Sequence, residues 1–168
     1  MNIYKMSSFS SDALKNIKVP QYSDKVFKDE CMFSYDTPFS PNGIYVSLMT
    51  FHAYGHDYIK SKIAPNVDKD IFLHIKMKKI PKKAPEKDDV TSEAKQEETV
   101  TRLGIGIEGG FKNDEQLWDT STEYSIYVDN AEHEIPYPND SLPMGVTNSA
   151  QAILSHTDAA IEDAAKWE

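Results

Sequence analysis

The run "IYVSLMTF", residues 44–51, decides the fold class. It is rich in β-branched and aromatic residues and too short for a stable helix, so it predicts a buried strand. A second strand follows in "DKDIFLHIKMKKI", residues 68–80, where apolar residues alternate with lysines that would face water. "EYSIYVDN" (123–130) and "TRLGIGIEGGF" (101–111) have strand character as well. The centre of the chain therefore predicts a sheet.

Helices are predicted at both ends of these strands. "SSDALKNI", residues 10–17, reads as a short helix capped by Ser11. "TNSAQAILSHTDAAIEDAAKW", residues 147–167, predicts one longer helix, capped by Thr147 or Asn148. The side of this helix that we expect to be buried comprises Ala150, Ile153, Leu154, Ile161 and Ala165.

The segments between these elements are less regular. Residues 26–35 predict an edge strand or an extended, packed segment, and residues 52–66 predict a loop with a short helix that stops near Pro65. We therefore expect an α+β fold, with a mostly antiparallel sheet and flanking helices, in a single domain over residues 1–168.

Charge and composition narrow the class of function. The net charge is −9, and residues 102–168 hold 13 acidic residues against 3 basic ones. Such a surface repels phosphate backbones, so we expect no nucleic-acid partner. No apolar run is long enough for a membrane span, so we expect no membrane partner, and a single cysteine fits a reducing cytoplasmic or nuclear compartment.

Residues 81–100 predict a mobile, charged insertion within the domain, because they contain no aromatic residue and few apolar ones. The glycines that follow, Gly104, Gly106 and Gly109, have the spacing of a dinucleotide-binding loop. No amphipathic helix comes after them, however, and the intervening residues alternate as in a strand. The pattern favours a strand and turn over a nucleotide site.

Chemically reactive residues are few. Cys31 is flanked by acidic residues, which would raise its pKa, and this favours a buried structural thiol. Cys31 with His52, His56 and His74 could supply four zinc ligands, but the chain has no CxxC pair. No arrangement of residues suggests a catalytic centre. We expect no catalytic residue, bound cofactor or metal, with Cys31, His52 and His56 as weak metal candidates.

Two longer stretches resemble a known family. "VPQYSDKVFKDECMFSYDTPFSPNGIYVSLMTFHAYGHDYI", residues 19–59, resembles the N-terminal region of the isopeptidase T family, the ubiquitin carboxyl-terminal hydrolase 5 type. "TRLGIGIEGGF" resembles a second motif of that family, in the same order. The shared features include Lys28 to Cys31, Gly43 to Tyr45, and Gly55.

The resemblance implies a degenerate first copy of the UBP-type zinc finger, which keeps the fold without the usual metal ligands. It implies zinc only in a second finger elsewhere in the parent protein. The parent would be a thiol protease that disassembles free polyubiquitin chains. The expected partners are the parent's own catalytic domain and ubiquitin or polyubiquitin.

Two alternatives stay open from the sequence. The chain could act as an autonomous ubiquitin-binding module, or as a small enzyme or metal protein unrelated to ubiquitin. Glu108, Gly109, Gly110 and Phe111 form a candidate partner contact, with a simple hairpin as the other interpretation. A set of aromatic residues could form a contact surface, but most are expected in the core: Tyr35, Tyr45, Phe51, Tyr54, Tyr58 and Trp118.

Overall fold

The strand predicted at 44–51 is present in shortened form within a five-stranded sheet. The structure is a computed structural model that describes residues 9–82, 118–128 and 133–165. Its strands are β1 (Ile44–Ser47), β2 (Ala53–Gly55), β3 (Ile71–Pro81), β4 (Trp118–Val128) and β5 (His133–Tyr137). Their spatial order is β2-β1-β3-β4-β5, and β1 pairs antiparallel with β2 and β3, as β4 does with β5. The predicted α+β class is confirmed.

Four helices lie among the described residues: α1 (Ser11–Asn16), α2 (His56–Lys60), α3 (Met144–Ser155) and α4 (Ala159–Ala165). A 3-10 turn at Val67–Lys69 precedes β3. The first helix was predicted with Ser11 as its cap, and this is wrong by one residue. The Ser10 hydroxyl accepts the Ala13 amide at 3.0 Å, and Ser10 has the extended backbone of a cap.

The sheet buries both of its faces near the centre. Because side chains alternate along a strand, Ile44 and Val46 point to the face that contains Ala13 of α1 and Ile153 of α3 in its core. The opposite side, which we call the aromatic face, is built around a second buried cluster: Tyr45, Tyr54, Ile59, Ala64, Phe72 and Tyr127. Towards its C-terminal end β3 becomes exposed, as its lysines predicted.

Two short strands were not predicted. β2 has only three residues, too few for a recognisable alternation. β5 contains Pro136, which cannot donate a ladder hydrogen bond and is expected only at a sheet edge, where β5 lies. Neither interpretation of residues 26–35 holds in full. The segment forms no strand beyond a single bridge between Val26 and Asp158, it bends at residues 29–30 and 32–35, and only Val26 and Cys31 in it are buried.

The single helix predicted at 147–167 is two helices. α3 begins at Met144, after Pro143, and ends at Ser155, because His156 is extended. The predicted caps Thr147 and Asn148 lie inside α3. Ala150 and Ile153 are buried as expected, whereas Ile161 is 57% exposed. Its burial was predicted by continuing the α3 periodicity across a break that the sequence pattern did not reveal.

Some predictions fall outside the described residues. The strand at 101–111 lies there, as does the insertion at 81–100 from residue 83 onwards. The chain divides into two units, Met1–Lys78 with Thr122–Glu168, and Lys79–Ser121. A single domain over residues 1–168 stays a prediction. No helix in the described part of the chain is long and apolar enough to cross a membrane.

A buried carboxyl group joins the β1–β2 turn to the start of β3. Asp70 is 3% exposed; it accepts a hydrogen bond from the Ser47 hydroxyl and one from the Ile71 amide at 2.7 Å. The Ser47 oxygen in turn accepts the amides of Met49 and Thr50, which shapes the turn. Burial raises the pKa of Asp70 from 3.8 to about 6, against the opposing effect of these hydrogen bonds.

This shift predicts a pH dependence of stability. A pKa raised in the folded state penalises folding above about pH 6, and the penalty disappears below the unfolded pKa of 3.8. Between pH 7.5 and pH 4, the chain should therefore gain about 2.5 kcal/mol relative to Asp70→Asn, which cannot titrate. Urea unfolding of both proteins across this range measures the difference. Parallel pH profiles for the two proteins would contradict the assignment.

Candidate interaction surface

Lys28 connects the segment before β1 to the end of α3 by hydrogen bonds. Its ammonium donates hydrogen bonds to the carbonyl oxygens of Ile153 (3.1 Å), Leu154 (2.9 Å) and His156. These carbonyls belong to the C-terminus of a helix, where a cation is favoured by the helix dipole. Burial lowers the pKa of Lys28, and the nearby carboxylates of Asp29 and Asp158 oppose that change.

Asp158 completes the connection from the other side. Its buried carboxylate accepts the amides of Lys28 at 2.7 Å and Asp29 at 3.2 Å. The Ala159 amide donates to the Val26 carbonyl at 2.8 Å. Residues 156–158 are therefore bound to residues 26–29, and this pairing accounts for the break between α3 and α4.

Cys31 holds the next segment against the edge of the sheet. The buried sulfur accepts the amide of Gly55 at 3.1 Å and that of Phe33 at 3.4 Å. The Cys31 amide donates to Asp36, and the Met32 amide donates to Ala53 on β2. The structure thus places the predicted structural thiol as a hydrogen-bond acceptor, which ties a loop to β2.

The loop held in this way, residues 31–39, presents apolar side chains to solvent; we call it the 31–39 surface. Tyr35 is 91% exposed, and Met32, Phe33 and Phe39 are each about half exposed. A cleft of about 630 Å³ runs along the loop and includes the acidic residues Asp29 and Glu30 in its lining. Several large apolar groups close together on a fixed loop are typical of a contact site.

The aromatic residues singled out in the sequence divide between core and surface. Tyr45, Phe51 and Tyr54 are buried, as expected of core residues. Tyr35 and Trp118 are exposed. Tyr58 is partly buried and packs against Phe33, with ring centroids 5.2 Å apart. The sequence alternation could not separate these roles, because Tyr35 lies in a loop whose course depends on Cys31.

The three weak metal candidates lie in different settings. Cys31 binds backbone amides, and the His52 ring stacks on Phe27 at 5.2 Å. Nδ1 of His56 is buried, 3.8 Å from an Asp57 carboxylate oxygen. Among the described residues, no three His, Cys, Asp or Glu side chains are grouped to hold a metal ion. The residues present there do not fit a zinc site.

The other candidate contact, Glu108 to Phe111, lies outside the described residues. The chemical analysis did not single out Lys28 and Asp158, which join residues 28–29 to the end of α3 and residue 158. The signal for Lys28 was its position beside Cys31 in the stretch that resembles the isopeptidase T family. For Asp158 there was no signal, because its partners are about 130 residues away along the chain.

Comparison with known proteins identifies the family of this domain. Residues 17–81 match the family model described as variant UBP zinc finger. The match includes the Lys28–Cys31 motif, the 31–39 surface and strands β1 to β3. The chain therefore carries a zinc-finger-like domain of the variant UBP class.

Several named relatives show which proteins this domain resembles. Ubiquitin carboxyl-terminal hydrolase 5 of Pongo abelii is 33% identical over 92% of this chain and 19% of its own length. Ubiquitin carboxyl-terminal hydrolase 14 of Arabidopsis thaliana is 31% identical over 92% of this chain and 18% of its own length. Ubiquitin carboxyl-terminal hydrolase 13 of Gallus gallus is 31% identical over 84% of this chain and 16% of its own length. The chain carries an isopeptidase T-like zinc-finger domain of the variant UBP family, matched over residues 17–81, and the chain spans about a fifth of the relatives' length.

Proposed function

We propose that this chain serves as a non-catalytic accessory domain of a ubiquitin-specific thiol protease that disassembles free polyubiquitin chains. In this proposal the 31–39 surface packs against the catalytic domain of that hydrolase and supports it. The names of the relatives support the enzyme class. The region that the family model matches is zinc-finger-like rather than catalytic, which supports an accessory role.

The docking surface is inferred from the exposure of Tyr35 and its neighbours on a loop that is already fixed in position. Amide-to-sulfur and backbone hydrogen bonds hold the loop at Cys31 and Met32. A partner would therefore meet preformed apolar groups and would not have to order the loop, so less entropy is lost on docking. Aromatic and methionine side chains in such a setting are enriched at protein interfaces.

Charge indicates the character of the facing surface. The cleft beside the loop includes Asp29 and Glu30, while Lys28 is already engaged with the end of α3. We therefore expect the catalytic domain to present apolar side chains for Tyr35 and Met32, with basic side chains at the edge of the contact.

The test compares two exposed tyrosines in the whole hydrolase. Tyr35→Ser should increase amide hydrogen exchange in the 31–39 surface and slow polyubiquitin disassembly by up to about thirtyfold, because a buried aromatic anchor contributes about 2 kcal/mol to an interface. Tyr22, fully exposed and outside this surface, provides the matched control Tyr22→Ser. The control should leave both measurements unchanged.

Two results would count against the docking surface. One is equal behaviour of Tyr35→Ser and Tyr22→Ser in the whole hydrolase. The other is a loss of binding to free ubiquitin in Tyr35→Ser with unchanged exchange elsewhere in the hydrolase, which would instead support an autonomous ubiquitin-binding module.

A further inference from the structure

A small pocket opens on the aromatic face, and none of the residues that line it belongs to the 31–39 surface. Its volume is about 280 Å³, and among the described residues that line it, Glu134 of β5 is the one that carries a carboxylate. The remaining lining combines aromatic rings, one aliphatic side chain and one lysine: Tyr45, His56, Ile59, Lys60 and Tyr127. The pocket thus brings a negative charge next to electron-rich rings.

Neighbouring hydroxyl groups hold the Glu134 carboxylate in place. The Tyr45 hydroxyl donates to Oε1 at 3.3 Å, and the Ser125 hydroxyl lies 3.4 Å from Oε2. Burial, followed by the nearby Glu134, raises the pKa of Tyr45, so Tyr45 stays a phenol that can donate. The Glu134 side chain is 44% exposed, and a carboxylate offers about four acceptor positions. Acceptor positions therefore remain for a ligand.

His74 lies close to this carboxylate and has other hydrogen-bond partners. Its Nε2 is 2.7 Å from the carbonyl oxygen of Asn42, so Nε2 must carry a proton. The Ser125 hydroxyl is 3.2 Å from Nδ1 of His74 and 3.4 Å from Oε2 of Glu134, and its one proton can go to only one of them. Nδ1 also lies 3.5 Å from Oε1 of Glu134. The exposed side of the Glu134 carboxylate is the part that an external cation can reach.

We propose that this pocket binds the side-chain cation of a lysine or arginine from a partner protein. The carboxylate would pair with the cation, the tyrosine rings would add cation–π attraction, and Ile59 would contact the aliphatic stem. The volume lies just below the roughly 300 Å³ at which small-molecule sites begin, and so suits one long side chain. This assignment does not depend on docking by the 31–39 surface.

Lys60 is the basic residue among those that line the pocket. It is exposed and lies on a flexible stem at the end of α2. Its ammonium would compete with an external cation for Glu134. Substitutions of Lys60 and of Glu134 should therefore have opposite effects on cation binding. Removing the Lys60 charge should tighten binding of an external cation, whereas removing the Glu134 charge should weaken it.

The test is an NMR titration of the whole chain with Gly-Gly-Lys-Gly-Gly and Gly-Gly-Arg-Gly-Gly, followed at the amides of Tyr45, Tyr127 and Glu134. The same peptide with norleucine keeps the stem and lacks the charge. We expect Kd for at least one cationic peptide to rise about tenfold in Glu134→Gln and to fall in Lys60→Gln. Comparing the two cationic peptides shows which cation the pocket prefers.

Glu123→Gln is the matched control. It removes one carboxylate from β4, where Glu123 pairs with Lys78 in an exposed position, and should leave Kd unchanged. The proposal is overturned if norleucine shifts the same amides equally, or if Glu123→Gln weakens binding as much as Glu134→Gln. Retained shift dispersion in Glu134→Gln would show that the fold is intact, so that a lost interaction is attributable to the pocket.

Discussion

Replacing Gly43 by alanine should destabilise the chain by about 3 kcal/mol. Gly43 has φ +64°, a left-handed conformation that costs other residues about 1–2 kcal/mol. An added Cβ would lie 2.4 Å from the Ile75 carbonyl oxygen and 3.0 Å from Nε2 of His74. The carbonyl belongs to a central strand and cannot move away cheaply, so a packing penalty of similar size is added. Urea unfolding followed by circular dichroism measures the loss.

Gly145 provides a control with the opposite sign. It lies in α3, and an added Cβ would meet no atom within 4 Å. Gly145→Ala should stabilise the chain by about 0.5–1 kcal/mol, because alanine loses less backbone entropy in a helix than glycine does. Equal effects of the two substitutions would contradict the role given to Gly43.

The second large effect is expected at Lys28. Lys28→Met keeps the aliphatic stem and removes the ammonium that binds three carbonyl oxygens at the end of α3. We expect a loss of about 2–4 kcal/mol, since these bonds are charge-assisted. The Ile153 carbonyl keeps a second donor, the His156 amide at 3.3 Å, which limits the loss. Thermal and urea unfolding measure the loss, and hydrogen exchange at residues 153–159 should rise with it.

Lys25 is the matched control for Lys28. It also joins the N-terminal segment to the C-terminal helices, through a 2.7 Å ion pair with Asp163, but both side chains are about half exposed. Lys25→Met should therefore cost less than about 1 kcal/mol. If Lys25→Met and Lys28→Met cost the same, the bonds to the end of α3 do not have the strength assigned to them.

The parts of the fold that could be predicted depend on local pattern. β1 and β3 were predictable because their apolar and β-branched residues follow one another or alternate. The break between α3 and α4 was not, because it depends on Lys28, whose ammonium reaches Ile153 across 125 positions of sequence. Local periodicity carries no information about such a distant partner.

The same distinction applies to the candidate sites. Cys31 was predicted as a structural thiol from its acidic neighbours, and the structure adds its partner Gly55 on a strand too short to predict. Tyr35 is exposed because it lies on the loop that this Cys31–Gly55 hydrogen bond holds against β2. Glu134 had no sequence signal, since its pocket forms only where β5 lies beside β4 with Tyr45 two strands further across the sheet.

We propose that the 31–39 surface packs on the catalytic domain of a ubiquitin carboxyl-terminal hydrolase. The most direct measurement places a photo-crosslinking phenylalanine analogue at position 35 of the whole hydrolase and identifies the crosslinked peptides by mass spectrometry, with and without polyubiquitin. We predict crosslinks from position 35 to the catalytic domain in both conditions. Crosslinks to ubiquitin alone, or none to the catalytic domain, would contradict this docking.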